Sequence, residues 1–141
     1  MTLSQNSVDD CLLIELNRFD SPRRGNLSVV EGGATLPFPL RRVFHIYDVP
    51  GGESRGGHAH FRTKEFIVAV SGSFSVTVDD GLRKKTVFLN RPYRGLLVEA
   101  GIWVTLNEFS SGAVALVMTS EHFDPADHIK SYADFINLRN G

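Results

Sequence analysis

His58 and His60 stand two residues apart in GGESRGGHAHFRTKEFIVAVSG (Gly51 to Gly72), with Glu65 five residues further on and five glycines around them. The chain has only five histidines, so this stretch concentrates the side chain that ordinarily titrates near neutrality. In an extended segment residues i and i+2 point to one face, so the two imidazoles project together. The glycines before them allow close backbone approach and unusual dihedrals. Two chemistries use such a set. An imidazole takes and returns protons near neutral pH, and two histidines with a carboxylate hold zinc or iron with open positions. A carboxylate at Glu65 is also expected to favour the charged form of an adjacent imidazole. The plain alternative is a pair of surface histidines at a flexible turn. The strand FIVAV (Phe66 to Val70), which follows almost at once, favours a pocket.

The elements that must position these groups are mostly short strands. CLLIEL (11–16), LSVVE (27–31), RVFHIYD (42–48), FIVAV (66–70), FSVTV (74–78), KTVFL (85–89), GLLVE (95–99), WVTLNEF (103–109) and VALVMT (114–119) are rich in β-branched and aromatic residues. Turn signals such as Ser71-Gly72, Asp79-Asp80-Gly81 and Ser110-Ser111-Gly112 separate them. Strands at this spacing predict a sandwich or barrel. One helix is expected at the end, with Asp124 as cap, Pro125 in the first turn and a stripe of Ile129, Tyr132, Ala133 and Ile136. Alternation along RRVFHIYD puts Arg41, Val43, His45 and Tyr47 on one face, so His45 and Tyr47 are expected at the pocket.

Composition narrows the class. The 141 residues suit one domain with its own core, and a net charge of -1 gives no general pull toward nucleic acid or membrane. A single cysteine, Cys11, excludes an internal disulfide framework and fits a reducing compartment. The polar, acidic MTLSQNSVDD does not read as a signal peptide, and no apolar run approaches a membrane span, so a cytoplasmic protein is expected.

The spacing of Gly52, His58, His60, Glu65 and Gly72 resembles the first motif of the cupin superfamily of small β-barrels. In metal-binding cupins the matching residues are ligands, and a second motif supplies another histidine. Here Val104, after Trp103, stands where that ligand is expected, and valine cannot bind a metal. A narrower resemblance covers nearly the whole chain. RGNLSVVEG (24–32), RRVFHIYDVP (41–50), RGGHAH (55–60), VSGSFSVTVDDG (70–81) and FDPADHIKSYADF (123–135) occur in this order and are similar to the sugar 3,4-ketoisomerases, the WxcM-like cupins.

That resemblance implies an all-β, cupin-type antiparallel β-barrel (jelly roll) with a short C-terminal helix, a single domain over 1–141, working as a homodimer. It implies an enzyme that moves the ketone of a thymidine-diphosphate-linked 4-keto-6-deoxyglucose from C4 to C3, without metal or other cofactor. The step leads toward deoxyamino sugars. His58, His60 and Tyr47 become the catalytic candidates. Arg24, Glu31, Arg41, His45, Arg55, Arg62, Glu65, Trp103 and Asn107 become candidates for binding substrate, the arginines because they suit a diphosphate. Trp103 either stacks on thymine or fills the barrel. Val104 and Glu65 depart from the residues usual in the family, and Val104 leaves open whether the product is gluco or galacto. A metal-dependent cupin using His58, His60 and Glu65, or a non-catalytic sugar-nucleotide binding domain, are the competing readings.

Overall fold

The computed structural model describes residues 2–141. Its elements are β1 (Leu13–Glu15), β2 (Asn17–Ser21), β3 (Gly25–Val29), β4 (Arg42–Tyr47), β5 (Arg55–His60), β6 (Glu65–Ser71), β7 (Phe74–Asp79), β8 (Lys84–Leu89), β9 (Arg94–Val98), β10 (Trp103–Asn107), β11 (Val114–Thr119), β12 (His128–Ile129) and the helix α1 (Tyr132–Asn140). Ten strands form two five-stranded sheets, in the orders β1-β9-β6-β11-β4 and β12-β5-β10-β7-β8, while β2 and β3 form a separate hairpin. The strand pairings are antiparallel.

Side-chain alternation sorts the residues into three apolar layers. Ile67 and Ala69 of β6, Val76 and Val78 of β7, Val104 and Leu106 of β10, and Ala115 and Val117 of β11 meet between the sheets. The opposite parity of the first sheet, including Phe66, Val68, Leu97 and Met118, packs under Leu36 and Phe38 of the 30–40 loop. On the second sheet's outer face Ala59, Ile129 and Phe135 pack with Trp103. This is the period-two signature of strands buried on both faces.

Three features differ from the sequence expectation. First, β5 is a strand although RGGHAH is poor in strand formers. Its ladder to β10 pairs His58 with Val104 but Gly56 with Thr105, leaving Gly57 as the extra residue of a bulge. Gly56 has φ +85°, and a Cβ there would lie 3.0 Å from the Val104 carbonyl oxygen, so only glycine fits without strain. Second, β2 (NRFDS) is polar and forms by pairing with β3 rather than by presenting an apolar face to a sheet. Third, the helix does not begin at Asp124. Asp124 caps a 3-10 turn at Pro125–Asp127, His128 and Ile129 then pair with β5, and α1 starts at Tyr132 behind the Ser131 cap. The competing β5 edge captures the backbone of 128–129 and delays the helix.

Candidate active site

Glu65, His58 and His60 meet where the two sheets face each other. Glu65 opens β6 with the same inward parity as Ile67, and is only 4% exposed. His58 and His60 point together from β5, with ring centroids 4.7 Å apart. His58 Nε2 lies 3.8 Å from Glu65 Oε1, beyond hydrogen-bond length, and that buried nitrogen has no hydrogen-bond partner. A buried polar atom left unpaired in a native fold points to a ligand or a chemical role.

His58 lines a cavity of about 330 Å³. Ser54, Arg55, His58 and Glu65 give the cavity its polar wall, and Phe44, Ile46, Ile67, Val104, Leu106 and Val117 its apolar one. A second depression, lined by His45, Tyr47 and Asp48 among others, adjoins it and shares Ile46, Ser54 and Arg55.

A third histidine completes the cluster. His128 of β12 sits opposite His60 in register, and the two Nε2 atoms are 3.2 Å apart. Its Nδ1 is 3.0 Å from the backbone carbonyl of Asp124. Burial pushes the His60 imidazole down to about 4, against the opposing pull of Glu65 and with help from His58 and His128. The expectation that Glu65 would favour a charged neighbour therefore fails at His60, because desolvation outweighs the carboxylate. Burial alone would raise the Glu65 carboxyl, but His58, His60 and His128 together hold it below the usual carboxylate range. The result is a neutral imidazole and an ionised carboxylate side by side near pH 7. His58, His60 and Glu65 also bring one ligand atom each within 4.8 Å of one another, so an ion placed there would have three protein ligands. Val104, which lines the same cavity opposite His58, offers no fourth.

The sequence model of the family described as FdtA: WxcM-like, C-terminal, matches residues 9–140. The chain belongs to this family. A curated relative, the TDP-4-oxo-6-deoxy-alpha-D-glucose-3,4-oxoisomerase of Aneurinibacillus thermoaerophilus, is 37% identical over 112 residues, covering 79% of this chain and 81% of its own length. A sugar 3,4-ketoisomerase from Thermoanaerobacterium thermosaccharolyticum, solved in complex with TDP, superposes with a TM-score of 0.91 at 28% identity, over 95% of this chain and 97% of that one. A TDP-quinovose 3,4-ketoisomerase from Campylobacter jejuni gives 0.85 at 32% identity, over 91% and 98%. The fold of this WxcM-like chain is the cupin-type jelly roll with one C-terminal helix.

The residues singled out from sequence separate into groups. His58, His60, Glu65 and Arg55 come together at the cavity. His45 and Tyr47 stack on each other with centroids 5.2 Å apart, on the outward side of β4, because Phe44 and Ile46 take the inward positions. They line the adjoining depression rather than the His58 cavity. Trp103 faces the helix, with its ring centroid 5.7 Å from that of Phe135. Asn107 shares its outward parity. Arg62 bridges Asp124 at 3.2 Å and Asp127 at 3.6 Å, which explains its position without substrate. Arg24 at the β2–β3 turn, Glu31 and Arg41 are exposed and line none of these cavities.

Sequence reasoning missed His128 and Asp127. Asp127 is 1% exposed and accepts from the Arg62 and Thr63 amides and the Thr63 hydroxyl, tying the segment before β12 to the one after β5. The signal was present in FDPADHIK, but a helix there turns His128 into one more surface position.

The pH dependence follows from these groups. Between about 4 and the ordinary imidazole range, His60 binds a proton in the unfolded chain but not in the folded one, so stability rises with pH across that window. Glu65 acts in the same direction, its contribution being lost as pH falls through its lowered folded value. Thermal melting at a series of pH values should show stability falling from about pH 6.5 to about 4. In His60→Asn the slope over this window should flatten.

Proposed function

We propose that this protein moves the ketone of thymidine-diphosphate-linked 4-keto-6-deoxyglucose from C4 to C3 by proton transfer through an enediolate, with His58 as the base. The observation that carries the assignment is that His58 lines the cavity beside Glu65 while its Nε2 has no hydrogen-bond partner. The family and the sugar 3,4-ketoisomerases it resembles supply the reaction class.

The geometry suits the chemistry. C3 carries a proton acidified by the neighbouring C4 ketone. The His58 imidazole takes that proton, and the C–H electrons become the C3–C4 double bond of the enediolate while negative charge collects on O4. Glu65 steadies the imidazolium that forms, since opposite charges at this distance attract strongly in a partly dry site. Arg55, on the same cavity wall, supplies positive charge toward the oxygen. The imidazolium then returns a proton to C4, while the O3 hydroxyl proton passes to O4, leaving a ketone at C3 and a hydroxyl at C4. Composition is unchanged and no oxidant is consumed. C3 and C4 are bonded neighbours, so one base serves both.

Arg55 stands where the two depressions join. We place the sugar against His58 and let the diphosphate extend past Arg55 toward His45 and Tyr47. Residues 1–141 work as one domain in the cytoplasm in this reading, which the single buried cysteine favours. No helix among the described residues is long and apolar enough to cross a membrane.

The working unit is a homodimer. The β2–β3 hairpin joins neither large sheet, and its cross-strand pair Phe19 and Leu27 is 64% and 56% exposed. Leu12 and Leu13, at the edge strand β1, are also half-exposed or more. A second copy covering these surfaces would bury apolar groups that water now meets.

Incubation of chelator-treated protein with the 4-keto sugar nucleotide should move the ketone carbon signal from C4 to C3 by NMR. His58→Asn should lose about 10²–10⁴ in rate while still binding TDP. No conversion by the unmodified protein, or conversion that returns only with added metal, would contradict the proposal. Light scattering at micromolar concentration should give twice the chain mass, and a monomer mass would remove the dimer.

A further inference from the structure

His60 and His128 form a relay whose proton positions can be deduced. One proton must lie between their Nε2 atoms at 3.2 Å. The Asp124 carbonyl oxygen can only accept, so the His128 Nδ1 that lies 3.0 Å from it carries a hydrogen. Neutral His128 then presents its lone pair at Nε2, and the shared proton belongs to His60 Nε2. His60 keeps its lone pair on Nδ1. The choice of tautomer is thus set from the protein backbone, two residues removed from the cavity.

The surroundings are built to hold this arrangement. Two-residue β12 pairs with the end of β5 and aligns the two rings. The Phe61 amide donates to the Asp127 carbonyl at 3.0 Å, and the Asp127 carboxylate takes the Arg62 and Thr63 amides. Arg62 also reaches the Asp124 carboxylate. The backbone that carries the Asp124 carbonyl is therefore fastened to the backbone that follows His60. The charged or titratable groups facing His60 are Glu65, His58, His128 and Asp127. Those around His128 are His60, His58 and, through the 124–127 turn, the Arg62–Asp124 pair.

Resting on the isomerase reading, we propose that His128 is a positioning residue: pinned by the Asp124 carbonyl, it holds His60 as the Nε2-protonated tautomer, and His60 in turn holds His58 against Glu65. His60 packs edge to face against His58, at an interplanar angle of 81°. With its one proton committed to His128, it does not donate to His58. The charge created in the reaction stays on His58, next to the carboxylate that stabilises it. A ring without nitrogen at position 128 would free the His60 proton and let that ring turn.

Nitrogen-15 NMR of the imidazoles in the full-length protein at neutral pH reads the tautomers without any activity. It should find His60 protonated at Nε2 and His128 at Nδ1. His60 protonated at Nδ1 would overturn the proposal. In His128→Phe the His60 resonances should shift and kcat should fall at least about tenfold, the loss from a misoriented triad histidine being about 10⁴. TDP affinity should be unchanged. His128→Gln, whose amide oxygen can accept from His60, should recover part of the rate and the His60 tautomer. Parental kcat in a folded His128→Phe overturns the role, as does failure of Gln to do better than Phe. If Phe does not fold, the parent spectrum and the Gln variant decide. Inactivity of the unmodified protein on the 4-keto sugar instead overturns the isomerase reading, and the role of His128 with it.

Discussion

A carboxylate buried between two β-sheets has to be paired, and Glu65 is the group on which the rest of this site depends. Leaving an ionised carboxyl in an apolar interior without partners would cost several kcal/mol or force it to protonate. Its neighbours come from the opposite sheet: His58 at 3.8 Å, with His60 behind it. The cluster therefore joins the sheets at one end of the sandwich by electrostatics, where elsewhere they are joined by Ile67, Val104, Val117 and the other core residues. In the proposed reaction the same pairing that makes Glu65 tolerable gives His58 a counter-ion.

Environment then separates two chemically identical side chains. His58 lines the cavity and has a free nitrogen. His60, two residues on and on the same face, is buried, pushed down to about 4 and hydrogen-bonded to His128. Sequence presents them as equals able to share a proton. Burial gives them different surroundings, His58 on the cavity and His60 kept neutral behind it. The bulge at Gly57 contributes directly, because it resets the register with β10 just before His58 and so aims that ring into the cavity across from Val104.

Much of the fold was legible because its strands obey a simple period. FSVTV and VALVMT are bounded by turn residues and carry enough apolar side chains that burial and pairing agree. β5 was not legible as a strand, since three of its six residues are glycine or alanine and its stability comes from the neighbours on both sides. The His58–His60 pair was legible from its spacing, and Glu65 joined it through the resemblance to the first cupin motif. The placement of Tyr47 and His45 followed the right alternation but the wrong side of it, because nothing in RVFHIYD says whether the Phe44–Ile46 face or the Val43–His45–Tyr47 face meets the facing sheet. Trp103 packs under the helix, a contact that no pattern around WVTLNEF announces. His128 escaped notice because its importance lies in a two-residue strand, too short to have a sequence pattern.

A structure of this protein with TDP-4-keto-6-deoxyglucose bound, solved with the reaction slowed by His58→Asn, would locate the reacting carbons. The sugar should sit in the His58 cavity, with C3 and C4 both about 3–3.5 Å from the position of the histidine nitrogen and the diphosphate running past Arg55. A sugar ring seated instead on the His45–Tyr47 side, with neither carbon within reach of residue 58, would contradict the proposal.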